Sequence, residues 1–160
     1  MFVAFPKHFA PAALLAGALA AACATAPLTL NDNTIVPGER VGDVEIGMPL
    51  SVLLTLKGTP LKTAPISGTN ATTYSFDGLT VGADDKVYWI IATDPKFRTR
   101  TGVAPGVEQI FARASFGKPA CVVTRDNVTI YDYGNVYFDV ENSTGKVRQL
   151  GVLKKTSTCS

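Results

Sequence analysis

Histidine, cysteine and paired carboxylates carry most acid–base, nucleophilic and metal chemistry near neutral pH. This 160-residue chain has one histidine, His8, and three cysteines, Cys23, Cys121 and Cys159. His8 lies in an apolar N-terminal segment, so the rest of the chain lacks the base that Ser-His-Asp and Cys-His catalysis require. The same lack removes His-ligated zinc, and no two cysteines stand in Cys-x-x-Cys spacing. Carboxylates occur at Asp84-Asp85, Asp126, Asp132, Asp139 and Glu141, none in the alternating pattern with a central Gly that holds calcium. Asp84-Asp85 reads as a hairpin turn. Nothing in the sequence brings two acids into one cleft, as glycosidase chemistry needs, and no glycine run resembles a phosphate loop. The expectation is a non-enzymatic protein with no metal, no cofactor and no small-molecule substrate.

Two groups of residues remain for binding. Lys96, Arg98 and Arg100 place three cations at alternate positions, suited to an acidic partner or to protecting a sheet edge. The strand-like segments carry Tyr74, Tyr88, Trp89, Tyr131, Tyr133 and Tyr137, and such aromatics are enriched at interface hot spots. Alternation in NVYFDV sends Val136, Phe138 and Val140 inward and Tyr137 outward. The same reading sends Ile90 inward and Trp89 outward, and places Tyr133 beside Tyr137. The expected partner-binding set is Trp89, Tyr133 and Tyr137, bordered by Lys96, Arg98 and Arg100.

The elements that would position these residues are announced by punctuation. Residues 47–60, GMPLSVLLTLKGTP, and 106–119, GVEQIFARASFGKP, share Gly, Gly and Pro at a constant offset of 59. Tyr74 and Tyr131, and Lys86-Val87 and Lys146-Val147, follow at similar offsets. The stripe Leu50, Leu53, Leu54 and Leu56 predicts one helix, and Val107, Ile110, Phe111 and Ala114 a second. Gly58 and Gly117 are natural C-terminal caps, with Pro60 and Pro119 as stops. After each helix come three runs of β-branched and aromatic residues separated by turn signals: TTYSF, LTVGA and KVYWIIA, then VTIYDY, NVYFDV and KVRQLGVL. The fold expected is α+β: two tandem helix–three-strand antiparallel meander modules, residues 39–95 and 96–160, sharing a core or a continuous sheet.

Residues 9–24, FAPAALLAGALAAACA, preceded by Lys7, read as a secretory signal peptide rather than a spanning helix. Its removal leaves 14 basic against 13 acidic residues, a net charge near +1 that offers no field for nucleic acid. Residues 1–24 are therefore assigned to the signal and 25–38 to a tether with one edge strand at Thr34–Val36. Ala22-Cys23-Ala24 fits a small-x-small cleavage site. Residues 19–23, LAAAC, also resemble the lipobox of bacterial lipoproteins, which would make Cys23 the lipidated first residue. Exported chains seldom leave an odd thiol, so Cys121 and Cys159 are expected to form a disulfide, with Cys23 either lipidated or cleaved away.

EIGMPLSVLLTLKGTPL, followed by strands and a DDKV turn, resembles the SmpA/OmlA (BamE-like) lipoprotein family through Gly47, Met48, Gly58, Thr59 and Pro60. Two such modules in tandem are similar to the β-lactamase inhibitory protein-like superfamily. The first resemblance implies a lipid-anchored outer-membrane protein facing the periplasm, with another envelope protein as partner in envelope assembly or maintenance. The second implies inhibition of a periplasmic or secreted hydrolase.

Overall fold

A computed structural model describes residues 32–154. Along the chain run β1 (Thr34–Val36), β2 (Arg40–Val41), β3 (Val44–Glu45), α1 (Leu50–Lys57), β4 (Lys62–Pro65), β5 (Thr72–Phe76), β6 (Leu79–Ala83) and β7 (Val87–Ala92). There follow β8 (Arg98–Thr99), α2 (Gln109–Phe116), β9 (Cys121–Arg125), β10 (Val128–Asp132), β11 (Val136–Glu141) and β12 (Lys146–Leu153).

Twelve strands and two eight-residue helices make the described chain mostly β. They form a four-stranded sheet, β3-β2-β1-β8, and an eight-stranded sheet, β4-β5-β6-β7-β12-β11-β10-β9. This corrects the expected pair of helix–three-strand modules. Each helix is followed by four strands that join one large sheet, and a second sheet combines β1 from the expected tether, β2 and β3 from the first module and β8 from the second, with β1 and β8 parallel. The missed elements have physical reasons. β4 and β9 are outer strands whose side chains are mostly exposed, so apolar alternation does not mark them. β2, β3 and β8 are two residues long, too short for any periodicity. Thr34–Val36 is a strand, but it lies between β2 and β8 with Ile35 buried, not at an edge.

The helices begin and end where the glycines stand. Gly58 and Gly117 adopt φ of 73° and 78°, a region that costs an ordinary residue energy, and their N–H groups close the helices onto Leu54 and Arg113. Each helix start is fastened to a hairpin. Gly47 N donates to Val87 O at 2.8 Å and Leu50 N to Asp85 O at 2.9 Å. Gly106 N donates to Val147 O at 2.7 Å and Gln109 N to Gly145 O at 2.9 Å.

Leu53 of α1, Ala112 of α2, and Ile35, Val41, Val44 and Phe97 around the small sheet fall into one buried cluster. Leu79, Val81, Ile90, Leu150, Val152, Phe138 and Val136 meet them from one face of the large sheet. The inward face of α2 differs from the expected stripe. Because the helix starts at Gln109, the residues turned to the sheet are Gln109, Ala112, Arg113 and Phe116, at i, i+3, i+4 and i+7. Ile110 is left 80% exposed and Phe111 is exposed as well.

Candidate binding face

Strand alternation gives the large sheet a second face, and among the described residues neither helix nor the small sheet packs on it. Register carries one row of this face across the sheet: Ser75, Thr80, Ile91, Gly151, Tyr137, Asp132 and Cys121 are successive partners. A second row runs through Thr73, Gly82, Trp89 and Leu153. Tyr137 stands opposite Gly151 and Trp89 opposite Gly82. In both pairs the ring lies on the glycine: a Cβ on Gly151 would come within 2.0 Å of Tyr137 Cε1, and one on Gly82 within 2.2 Å of Trp89 Cε2. Neither glycine has a positive φ, so close approach of the aromatic ring, not backbone conformation, requires it. Two large aromatics thus lie flat, half-buried, on an otherwise helix-free surface.

Beside Tyr137 the face sinks into a depression of about 270 Å³ lined by Cys121, Val123, Arg125, Ile130, Asp132, Tyr137 and Asp139. Asp139 is 5% exposed. Its Oδ2 accepts from Gln149 Nε2 at 2.7 Å and from Arg148 at 3.3 Å, while its Oδ1 is buried with no hydrogen-bond partner. Arg148 reaches Asp139 because the register slips between Asp139 and Val140, where β12 carries one extra residue. Burial raises the Asp139 carboxyl, and Arg148 and Gln149 oppose that only in part. Asp132 is also buried and accepts from Gly134 N at 2.6 Å through Oδ1. Burial, then the nearby Asp139 and Asp132, push the Tyr137 hydroxyl up to about 12.

The expected site residues are only partly together. Trp89 and Tyr137 share the helix-free face. Tyr133 does not: it follows β10 in the parity of Tyr131, and its ring lies 5.1 Å from Phe116 and 5.8 Å from Phe138, on the helix side. Tyr131 stacks on Phe138 at 5.2 Å and receives a hydrogen bond from Gln109. Lys96, Arg98 and Arg100 do not border the aromatics. Lys96 pairs with Asp77 at 2.9 Å, at the β5–β6 hairpin, the opposite end of β6 from Gly82 and Trp89. Arg98 belongs to the small sheet, and Arg100 lines a separate depression with Asp32 and Arg40. Residues missed from the sequence are Asp132 and Asp139. The only sign of them was outward parity in NVYFDV and VTIYD.

Cys121 opens β9 and is disulfide-bonded. Cys23, the lipidation candidate, and Cys159, the expected partner of Cys121, lie outside the described residues. No helix among the described residues is long and apolar enough to cross a membrane.

No family model matches this sequence, and no curated protein does. Solved structures resemble it. An extracellular protein containing an SCP domain from Bacillus anthracis superimposes with a TM-score of 0.50 at 11% identity, over 68% of this chain and 43% of that one. A cysteine-rich secretory protein from Staphylococcus aureus gives a TM-score of 0.48 at 16% identity, over 81% of this chain and 55% of that one. The chain therefore spans about half the length of the solved structures it matches. The likeness is one of fold.

These findings correct the resemblance to SmpA/OmlA lipoproteins, together with its reading as a tandem of such modules. Gly58, Thr59 and Pro60 are helix punctuation, which unrelated β-rich chains need equally. The roles in envelope assembly and hydrolase inhibition rested on that resemblance and lose their support with it.

Proposed function

We propose that the protein is an exported, non-catalytic binding module that engages a protein partner through the helix-free face of the eight-stranded sheet. The observation that carries this reading is the pair of aromatics, Trp89 and Tyr137, laid flat on Gly82 and Gly151 across a face that no described element covers. Flat rings on a level sheet offer rigid contact area at little entropic cost. Export is supported by the N-terminal segment of residues 9–24 and by the fold likeness to an extracellular protein. Absence of histidine after His8 favours binding over catalysis.

The test uses immobilised protein to capture partners from the exported fraction of its own cells. Thr80→Arg and Ile91→Arg each place a long cation on the helix-free face, and both should abolish the capture seen with the unaltered protein. Ile110→Arg, on the exposed side of α2, should retain it. Retention by Thr80→Arg and Ile91→Arg, with loss in Ile110→Arg, would move the interface to the helices.

A further inference from the structure

We propose that the depression lined by Ile130, Asp132, Tyr137 and Asp139 is a socket for a lysine side chain of the protein partner. This rests on the reading of the helix-free face as the binding surface. The first observation is Asp139 Oδ1, a carboxylate oxygen buried without a hydrogen-bond partner, on a side chain that lines the depression. Buried carboxylate oxygens are almost always satisfied, and an orphan asks for a donor from outside. The second is Asp132, which lies on the same face, diagonal to Asp139 across the β10–β11 pair. One of its oxygens is held by Gly134 N, and the other makes no hydrogen bond among the described residues.

Two acidic side chains thus line one small cavity, whose other lining residues are Cys121, Arg125, the apolar Val123 and Ile130, and Tyr137. An apolar stem with a cationic tip matches that lining. The choice of lysine over arginine follows from acceptor count. Guanidinium gains most from a bidentate carboxylate, but Asp139 Oδ2 is already taken by Gln149 and Arg148. A single free oxygen from each of two acids suits an ammonium, which donates as a point. Arg125 also lines the cavity, so its charge opposes the incoming cation.

The test is an amide chemical-shift titration of the protein at neutral pH with three probes: the peptide acetyl-Gly-Lys-Gly-amide, its norleucine analogue and n-butylammonium. The lysine peptide should shift Ile130, Tyr137 and Asp139, and the norleucine peptide should shift none of them. Asp139→Asn should weaken the lysine peptide about tenfold or more, the size of a hydrogen bond to a charged group. Asp132→Asn should weaken it too, and Arg125→Ala should strengthen it. If Asp139→Asn fails to fold, Asp132→Asn and Arg125→Ala decide alone. Equal binding of the norleucine peptide, or unchanged binding in the Asp variants, overturns the socket. Butylammonium binding tighter than the lysine peptide overturns the partner side chain in favour of a free amine. In the capture experiment, loss in Thr80→Arg with retention in Asp139→Asn would sink the socket and leave the binding face standing.

Discussion

Asp139 couples the stability of this protein to pH in a direction opposite to most carboxylates. Its folded-state pKa is raised, chiefly by burial, so the folded chain holds the proton more tightly than the unfolded one. The stability this confers is complete below the ordinary carboxylate pKa and is lost as pH rises through the folded value. The groups that face it are Asp132 on β10, Tyr137 on β11, Arg125 on β9, and Arg148 and Gln149 on β12. Denaturant midpoints at pH 4 and pH 7 should show Asp139→Asn gaining on the unaltered protein as pH rises, because Asn carries no charge to bury. A constant difference at both pH values would mean that Asp139 does not titrate in this window. Parity was legible here, but burial was not. Val136, Phe138 and Val140 place Asp139 outward, yet its cover comes from Gln149, its partner across the β11–β12 pair, and from Arg148, which the register slip brings beside it. Tyr133 failed for the complementary reason. Neighbouring strands do bring same-face side chains within reach, but parity with Tyr131 puts Tyr133 on the helix side, against Phe116 and Phe138, and not on the face of Tyr137.

The glycine–aromatic pairs set the tolerance of β6, β7, β11 and β12. Gly151→Ala drives a methyl into the Tyr137 ring and should cost about 1–3 kcal/mol, as overpacking does. Tyr137→Ala should be destabilising as well, since it strips the cover from Gly151. Combined, the two should cost less than their sum, because the alanine then occupies the space the ring has left. Chemical denaturation of the two single variants and the double closes this cycle, and strict additivity would show that ring and glycine do not interact. Gly82→Ala against Trp89 should behave alike. Such pairs are invisible in sequence, because Gly151 and Tyr137 meet through pairing between distant segments. Helix ends were legible, since Gly58 and Gly117 act locally. The buried side of α2 was not. Ile110 and Phe111 look like core by hydrophobicity, but the start at Gln109 turns them outward and hands the sheet contact to Ala112 and Phe116.

At the scale of the molecule, the deciding contact is the seam where β7 pairs with β12. Leu150 meets Ala92 there, and Val152 meets Ile90, so the two ends of the large sheet share one core. Period-two alternation located the inner strands, but not which of them were neighbours: that requires pairing across some 60 residues of chain, which no local pattern encodes. A continuous core predicts a single cooperative transition. Leu150→Ala, at the seam and fully buried, should destabilise by about 2–5 kcal/mol. Trp89 is the only tryptophan of the chain and sits on β7, so its fluorescence reports the β4–β7 side of the sheet alone. Far-ultraviolet circular dichroism reports all strands together. In the unaltered protein and in Leu150→Ala, the two signals should fall at the same denaturant concentration, with the variant's common midpoint shifted down. If Trp89 instead kept its native signal while half the dichroism was lost, the β4–β7 side would be an independent folding unit, and the seam would be a docking contact between two units rather than the middle of one sheet.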